Sequence, residues 1–229
     1  MSNSLSFFIV IPVYNEADII PEVLLGLQVL GYTGIIVVDD GSTDNLRYAL
    51  RNFSIYFLRH EKNLGQGAAL QTGFEFARSL DAGIVVTFDA DGQHQAIDIA
   101  KLTEPIISNT ADIVLGSRFL SESTEGISRI KKIILQIARL INFIFSGIYL
   151  TDAHNGMRAL NRKALGLITL RENRMAHASE LLFEIRRHRL RYMELPVTIR
   201  YTAYSKQKGQ SAIESVKILF DLVLHKLFK

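Results

Sequence analysis

Two carboxylates, Asp89 and Asp91, stand two residues apart at the end of the apolar run 83–88, within the segment Phe88, Asp89, Ala90, Asp91, Gly92, Gln93, His94. Side chains at i and i+2 of a strand terminus can converge on one hard divalent cation, which takes oxygen ligands and keeps positions open for phosphate oxygens. Gly92 permits a tight bend and Gln93 brings another oxygen, whereas His94 reads as a polar loop residue and not as a ligand. The chain has no cysteine, so thiolate metal sites and disulfides are excluded, and any metal is held by oxygen or imidazole.

Two earlier apolar runs end in similar chemistry. The first closes with Pro12, Val13, Tyr14, Asn15, Glu16, and the second with Asp39, Asp40, Gly41, Ser42, Thr43, Asp44. Such residues serve as turns and helix N-caps. They also suit a nucleoside, since an aromatic ring can stack on a base and carboxylates can accept from ring N–H and ribose hydroxyls. A third segment, Asn63 to Ala69, opens a helix with small residues, which let backbone N–H groups approach a diphosphate or a sugar. Its spacing matches neither a Walker loop nor a dinucleotide fingerprint.

The elements that must position these residues follow from hydrophobic period. Residues 5–13, 34–39, 53–58, 83–88 and 112–116 are short, β-branched, nearly continuous apolar runs, as expected of strands buried on both faces. Helical period occupies 17–30, 43–51, 66–80 and 95–109. Strand alternating with helix predicts an α/β fold with a mostly parallel central sheet flanked by helices, and ligands then collect beyond the carboxyl ends of the strands. At 229 residues the chain suits one domain, 1–210, followed by a C-terminal amphipathic helix, 211–229, in the same unit. The net charge of +3 comes with dispersed acidic residues and no aromatic-basic platform, which argues against a nucleic-acid partner. The N-terminus enters a strand without a secretory signal, so a cytoplasmic protein is expected.

Residues 130–150 approach the length of a membrane span, but Lys132, Gln136, Arg139, Asn142 and Ser146 recur along one helical face. A charged stripe is prohibitive in a bilayer core and acceptable in a helix lying flat in the interface. In 211–229, Glu214, Lys217, Asp221, His225 and Lys229 share a face in the same way. Such stripes serve peripheral attachment to the cytoplasmic face of the membrane, and equally serve packing on a core or on a second copy of the chain.

Taken in order, IPVYNE (11–16), VDDGSTD (38–44), NLGQGAAL (63–70), DADGQH (89–94), GSRF (116–119) and TDAHNGMRAL (151–160) resemble the family 2 inverting glycosyltransferases of GT-A fold. Within that family the chain looks most like the dolichyl- and polyprenyl-phosphate sugar synthases and the bacterial surface-polysaccharide transferases. The resemblance implies a UDP- or GDP-linked sugar donor, a polyprenyl-phosphate or lipid-linked saccharide acceptor, and Mg²⁺ or Mn²⁺. It places Pro12, Tyr14, Glu16 and Asp40 at the base and ribose, with Lys62, Gly67 and Ala90 nearby. Asp89 and Asp91, helped by Gln93, would bind the metal and through it the diphosphate. Arg118 would face the phosphates, Asp152 the acceptor, and Arg158 would lie behind it. The chain departs from the synthases at Asn155–Gly156–Met157–Arg158, where Ser-Gly-Phe-Arg is common, and in a stretched basic segment that begins at Arg200.

In such a reaction Asp91 with Asp89 would stabilise the leaving diphosphate. A lipid phosphate needs little deprotonation, whereas a sugar hydroxyl needs a base. Asp152 is the first candidate for that base or for orienting the acceptor, although it also reads as a turn residue. His177 and Glu180 are the reserve, and Glu180 sits one helical turn before Glu184, which equally suits a solvated face. Two rival readings keep the fold: a sugar nucleotidyltransferase, whose Gly-rich, Arg-bearing first loop is replaced here by Pro12, Tyr14 and Glu16, and a non-catalytic membrane or assembly module.

Overall fold

In a computed structural model of the chain, which describes residues 6–120, 140, 143, 147–174 and 176–200, all five apolar runs form strands. They are β1 (Phe7–Val13), β2 (Ile35–Asp39), β3 (Tyr56–Arg59), β4 (Ile84–Thr87) and β5 (Ile113–Ser117). The expected helices appear as α1 (Ile20–Val29), α2 (Leu46–Ala49), α3 (Gln66–Ser79) and α4 (Asp98–Ile107), trimmed at their ends. Beyond them come β6 (Arg158–Asn161), α5 (Arg162–Leu167), α6 (His177–Arg187) and β7 (Tyr192–Pro196).

The seven strands form one sheet in the order β3-β2-β1-β4-β6-β5-β7. Every residue of β2, β4 and β5 is buried, which is why their sequences run apolar up to a polar last residue, Asp39, Thr87 and Ser117. On one face Ile9, Ile11, Val37 and Val86 meet Val23, Leu24 and Leu27 of α1 and Ile99 and Leu102 of α4. On the other, Val10, Ile36, Val38 and Val85 meet Leu70 and Phe74 of α3 and Leu181, Leu182 and Ile185 of α6.

Pairing is parallel between β1 and β2, β1 and β4, β2 and β3, and β5 and β7, as the alternation of strand and helix requires. The exception is β6, which runs antiparallel between β4 and β5. An antiparallel strand starts where its neighbours end. Arg158, the first residue of β6, therefore lies opposite Thr87, the last of β4, and the segment leading into β6 joins the rim that carries Asp89.

The opposite rim is tied by Asp112, whose buried carboxylate accepts from Asn161 Nδ2, Lys163 Nζ, and the backbone N–H and guanidinium of Arg191. One side chain thus clamps the starts of β5 and β7 to the end of β6. The stretch 201–210 of the expected domain, its C-terminal helix 211–229 and most of the 130–150 stripe lie outside the described residues. Among the described residues no helix is long and apolar enough to cross a membrane.

Replacing Asp112 with Ala is expected to destabilise the fold by about 1–3 kcal/mol at neutral pH, chiefly by stranding part-buried donors, because its half-exposed cations are screened by solvent. Its hydrogen bonds with Arg191 outweigh burial and hold the carboxyl well below the usual carboxylate range. A group with a depressed folded pKa contributes fully above its unfolded pKa, and the contribution fades as pH falls toward the folded value. The difference in denaturation midpoint between wild type and Asp112→Ala should therefore narrow on acidification. A difference unchanged at acid pH would assign the stability to something other than this ionised cluster.

Candidate active site

The loop after β4 carries Asp89 half-buried and locked at both oxygens. Oδ1 accepts from Gln66 Nε2 at 2.9 Å, and Oδ2 accepts from His94 Nε2 at 3.0 Å. His94 is not the polar loop residue that the sequence suggested. It is buried, packs edge-on against Phe88, and its Nδ1 finds no partner among the described residues. Burial alone would raise the Asp89 carboxyl, but the hydrogen bond and charge of His94, with the charges of Arg158 and His177, hold it below its ordinary value.

Asp91 has the opposite electrostatics. Burial and then the charge of Asp89 push its carboxyl up, and Glu16 adds to the push. The backbone N–H of Gln93 donates to Asp91 Oδ1 at 3.0 Å, and its amide Nε2 donates to Oδ2 at 2.6 Å. Gln93 thus grips Asp91 through its nitrogen. Two carboxylates and a nearby third are crowded here without a cation paired to Asp91 among the described residues. That donor set suits Mg²⁺ or Mn²⁺, which protein sites commonly hold through one or two carboxylates with phosphate oxygens completing the shell. No three His, Asp or Glu groups among the described residues form a cage by themselves, so water or phosphate oxygens would complete the shell.

Gly156 lies directly against Asp89, and a Cβ on it would stand 2.0 Å from Oδ2. Thr87 Oγ1 donates to the Gly156 carbonyl at 2.5 Å and accepts from the backbone N–H of Arg158 at 3.1 Å, which fixes this approach. The Arg158 guanidinium is buried, and burial lowers its pKa to about 10, while Asp89 and Asp152 oppose that fall. His177 is buried nearby and donates from Nδ1 to the Arg174 carbonyl at 2.7 Å, so Nε2 carries the lone pair. Burial and the charge of Arg158 bring its pKa down to about 4, and it is neutral at physiological pH.

Asp152 is buried on the segment that precedes β6. Its Oδ2 accepts from the Arg118 backbone N–H at 3.1 Å and from Arg118 Nε at 2.6 Å. Arg118 follows β5, so this pair bridges the ends of two elements. The backbone of Arg200 reaches the same rim: its N–H donates to the Gln93 carbonyl at 2.8 Å, and Ile199 bridges to His94.

On the other flank, Tyr14 is exposed at the end of β1, Glu16 is half-buried, Lys62 is exposed, and Pro12 and Ala90 are buried. Asn15 and Ser42 lock the first two loops together, with the Asn15 N–H donating to Ser42 Oγ and the Thr43 N–H donating to Asn15 Oδ1. Three expected site residues prove to serve the protein's own backbone. Asp40 is buried, accepting from the N–H groups of Leu64 (2.9 Å) and Gly65 (2.7 Å) and from His60 Nδ1 (2.7 Å), so it shapes the loop before α3. Gly67 admits the Glu172 carbonyl, which a Cβ would meet at 2.0 Å, and Ala68 N–H donates to the Asn173 carbonyl, so the approach foreseen for a diphosphate is filled. Glu180 accepts from the N–H groups of Arg171 and Glu172, which makes it the holder of that loop.

Residues 8–168 match the family described as Glycosyl transferase family 2. The chain belongs to this family. The transferase is 35% identical to the UDP-N-acetylglucosamine–dolichyl-phosphate N-acetylglucosaminyltransferase of Methanococcus voltae, over 97% of this chain and 96% of that protein. It is 29% identical to an undecaprenyl-phosphate mannosyltransferase of Micrococcus luteus, over 90% and 89% of the two chains. Its fold matches glucosyl-3-phosphoglycerate synthase from Mycobacterium tuberculosis, solved with Mn²⁺, UDP and glucosyl-3-phosphoglycerate, with a TM-score of 0.69, 17% identity, and 96% and 80% of the chains covered. The mixed seven-stranded sheet flanked by helices is thus the GT-A fold.

Gly156→Ala tests how closely this transferase depends on the Asp89 position. The methyl group must push the Asp89 carboxylate aside, and a shift near 1 Å at a reacting centre costs about 10²-fold in rate. Turnover should drop on that scale, and the melting temperature should fall as well, since the displaced carboxylate leaves the buried Arg158 undercompensated. Full activity in Gly156→Ala would show that Asp89 has freedom the close contact denies.

Proposed function

We propose that this enzyme transfers a sugar from a nucleoside-diphosphate donor, uridine- or guanosine-linked, to a polyprenyl phosphate at a membrane surface, with Asp89 and Asp91 holding Mg²⁺ or Mn²⁺. The observation that carries the choice of acceptor is the Arg118–Asp152 pair. Asp152 Oδ2 is already occupied twice by Arg118, while the guanidinium it steadies is a good ligand for phosphate. A phosphate acceptor is anionic and brings its own nucleophilic oxygen, so a general base is unnecessary and Asp152 serves as orienter. The acceptors named for the Methanococcus voltae and Micrococcus luteus relatives, dolichyl phosphate and undecaprenyl phosphate, support the same reading.

Tyr14, exposed at the end of β1, offers a ring to the base, and the half-buried Glu16 and exposed Lys62 would serve the same nucleotide. A divalent cation between Asp89 and Asp91 supplies positive charge for the departing nucleoside diphosphate. Arg118 receives the acceptor phosphate so that its oxygen reaches the anomeric carbon on the face opposite the leaving group, which inverts the configuration there. Arg158 keeps the two halves of the site in a fixed electrostatic relation. Leu120, Leu140, Phe143 and Tyr149 are exposed apolar residues flanking Arg118 and Asp152 along the chain, and they suit contact with the lipid interface.

Purified protein with Mn²⁺ should be offered UDP-N-acetylglucosamine, UDP-glucose and GDP-mannose, with dolichyl phosphate or a lipid-linked oligosaccharide as acceptor. Lipid-phosphate sugar should form with one donor, and chelation by EDTA should stop it. Asp91→Ala should lose about 10²–10³ in turnover. Its melting temperature should hold or rise, since Asp91 is opposed by Asp89 and Glu16. Transfer to the oligosaccharide alone would sink the lipid-phosphate assignment, and undiminished turnover in EDTA would sink the metal.

A further inference from the structure

The edge strand β7 holds a carboxylate that the proposed reaction leaves without a task. Glu194 lies opposite Leu115 of β5, between the exposed Met193 and the partly buried Leu195. Its Oε1 accepts from the N–H of Thr151 (2.9 Å), the N–H of Asp152 (2.9 Å) and Thr151 Oγ1 (3.1 Å), and Oε2 accepts from the Thr151 N–H (2.8 Å). Thr151 Oγ1 donates its hydrogen to Glu194 and therefore accepts from Ser117 Oγ at 2.5 Å. Ser117 Oγ in turn accepts from the Phe119 N–H at 3.2 Å. The residues on either side of Arg118 and the residue before Asp152 thus belong to one network centred on Glu194.

The composition of this network is informative. Among the described residues no cation pairs with Glu194, whose partners are two adjacent backbone N–H groups and a hydroxyl. Consecutive amides that converge on one anion form a backbone nest, and only an acceptor with several lone pairs on each oxygen satisfies them together. The arrangement also brings a second negative charge to the short segment that already bears the Asp152 carboxylate, which works against stability. A sheet edge needing only to be covered would be served by a neutral or apolar side chain, so the geometry given to Thr151 and Asp152 is what the carboxylate adds.

We propose that Glu194 is a positioning residue for sugar transfer: it fixes the backbone of Thr151–Asp152 so that Asp152 presents the Arg118 guanidinium to the acceptor phosphate. This rests on the reading of Arg118 and Asp152 as the acceptor's holders. Glu194 touches no substrate. It acts through Asp152, and its loss is felt on the acceptor side and not in the grip on the nucleotide.

The test uses the full chain with Mn²⁺, dolichyl phosphate and the best donor of the panel above, in Glu194→Ala, Glu194→Gln, Asp152→Asn and the double variant Asp152→Asn/Glu194→Ala. Glu194→Ala should lower kcat/KM for the acceptor by about 10²-fold, with the donor KM unchanged within about twofold. Glu194→Gln keeps one acceptor oxygen for the two amides and should recover to within about tenfold of wild type. The double variant should be no slower than Asp152→Asn alone, because a residue acting only through Asp152 has nothing left to position. Losses that multiply in the double variant, or a donor KM that rises with the acceptor's, would overturn the inference. If Glu194→Ala fails to fold, Glu194→Gln decides: wild-type kinetics in it, with Asp152→Asn slow, also overturn the inference while leaving the lipid-phosphate reading intact. A fully active Asp152→Asn would instead overturn both.

Discussion

Arg158 is a buried guanidinium, and a buried cation is tolerable only where opposite charge is close. The charges of Asp89 and Asp152 supply it, and each owes its position to a different part of the chain. Asp89 follows β4, at the rim proposed to hold the metal. Asp152 precedes β6, at the rim proposed to hold the acceptor. Because Arg158 opens β6 and pairs opposite Thr87, the charge that must be neutralised is built into the sheet register and not into a movable loop. Moving either carboxylate leaves the guanidinium undercompensated, so the two halves of the site are held in a common geometry by an electrostatic requirement.

That requirement also explains the unequal treatment of the paired aspartates. Asp89 has His94, Gln66 and the field of Arg158, and it stays ionised. Among the described residues Gln93 is what bonds the Asp91 oxygens, and two carboxylates act against it while the charge of His94 offsets them in part. A site built for stability alone would not leave one acid in that condition. The imbalance would favour positive charge arriving beside Asp91, in keeping with the proposed metal-bound nucleoside diphosphate.

The parallel half of the sheet was legible because strands buried on both faces have little freedom in composition, and β2 and β4 show it as unbroken runs of Ile and Val. β6 was not, since four residues reading Arg-Ala-Leu-Asn carry no period, and β7, an edge strand with exposed Tyr192 and Met193 and a glutamate within it, does not resemble a core strand. Asp89 and Asp91 fell where a strand end put them. Asp40, Gly67 and Glu180 show a second use for one shared reason: a carboxylate or a glycine suited to a ligand's N–H or phosphate is equally suited to the protein's own backbone. The segments they meet lie from 8 to more than 100 residues away. His94 was underread because burial, which turns it from a loop residue into the partner of Asp89, leaves no local mark in the sequence.

The same distinction separates the two sides of the site. The donor flank is assembled from neighbouring loops whose residues lock one another by short-range chemistry, as Asn15 does with Ser42 and Thr43. Such pairs announce themselves as motifs. The flank proposed for the acceptor is assembled from Arg118, Asp152, Arg158 and Glu194, contributed by three separate stretches and joined by charge and by backbone N–H groups. Only Asp152 and Arg158 share a motif in sequence, and the sheet order that inserts β6 between β4 and β5 and adds β7 outside β5 is what makes Arg118 and Glu194 their neighbours. An acceptor site built in this way can change one contributor at a time without disturbing the nucleotide flank. That is the physical freedom a fold needs if one way of gripping a sugar nucleotide is to serve different acceptors.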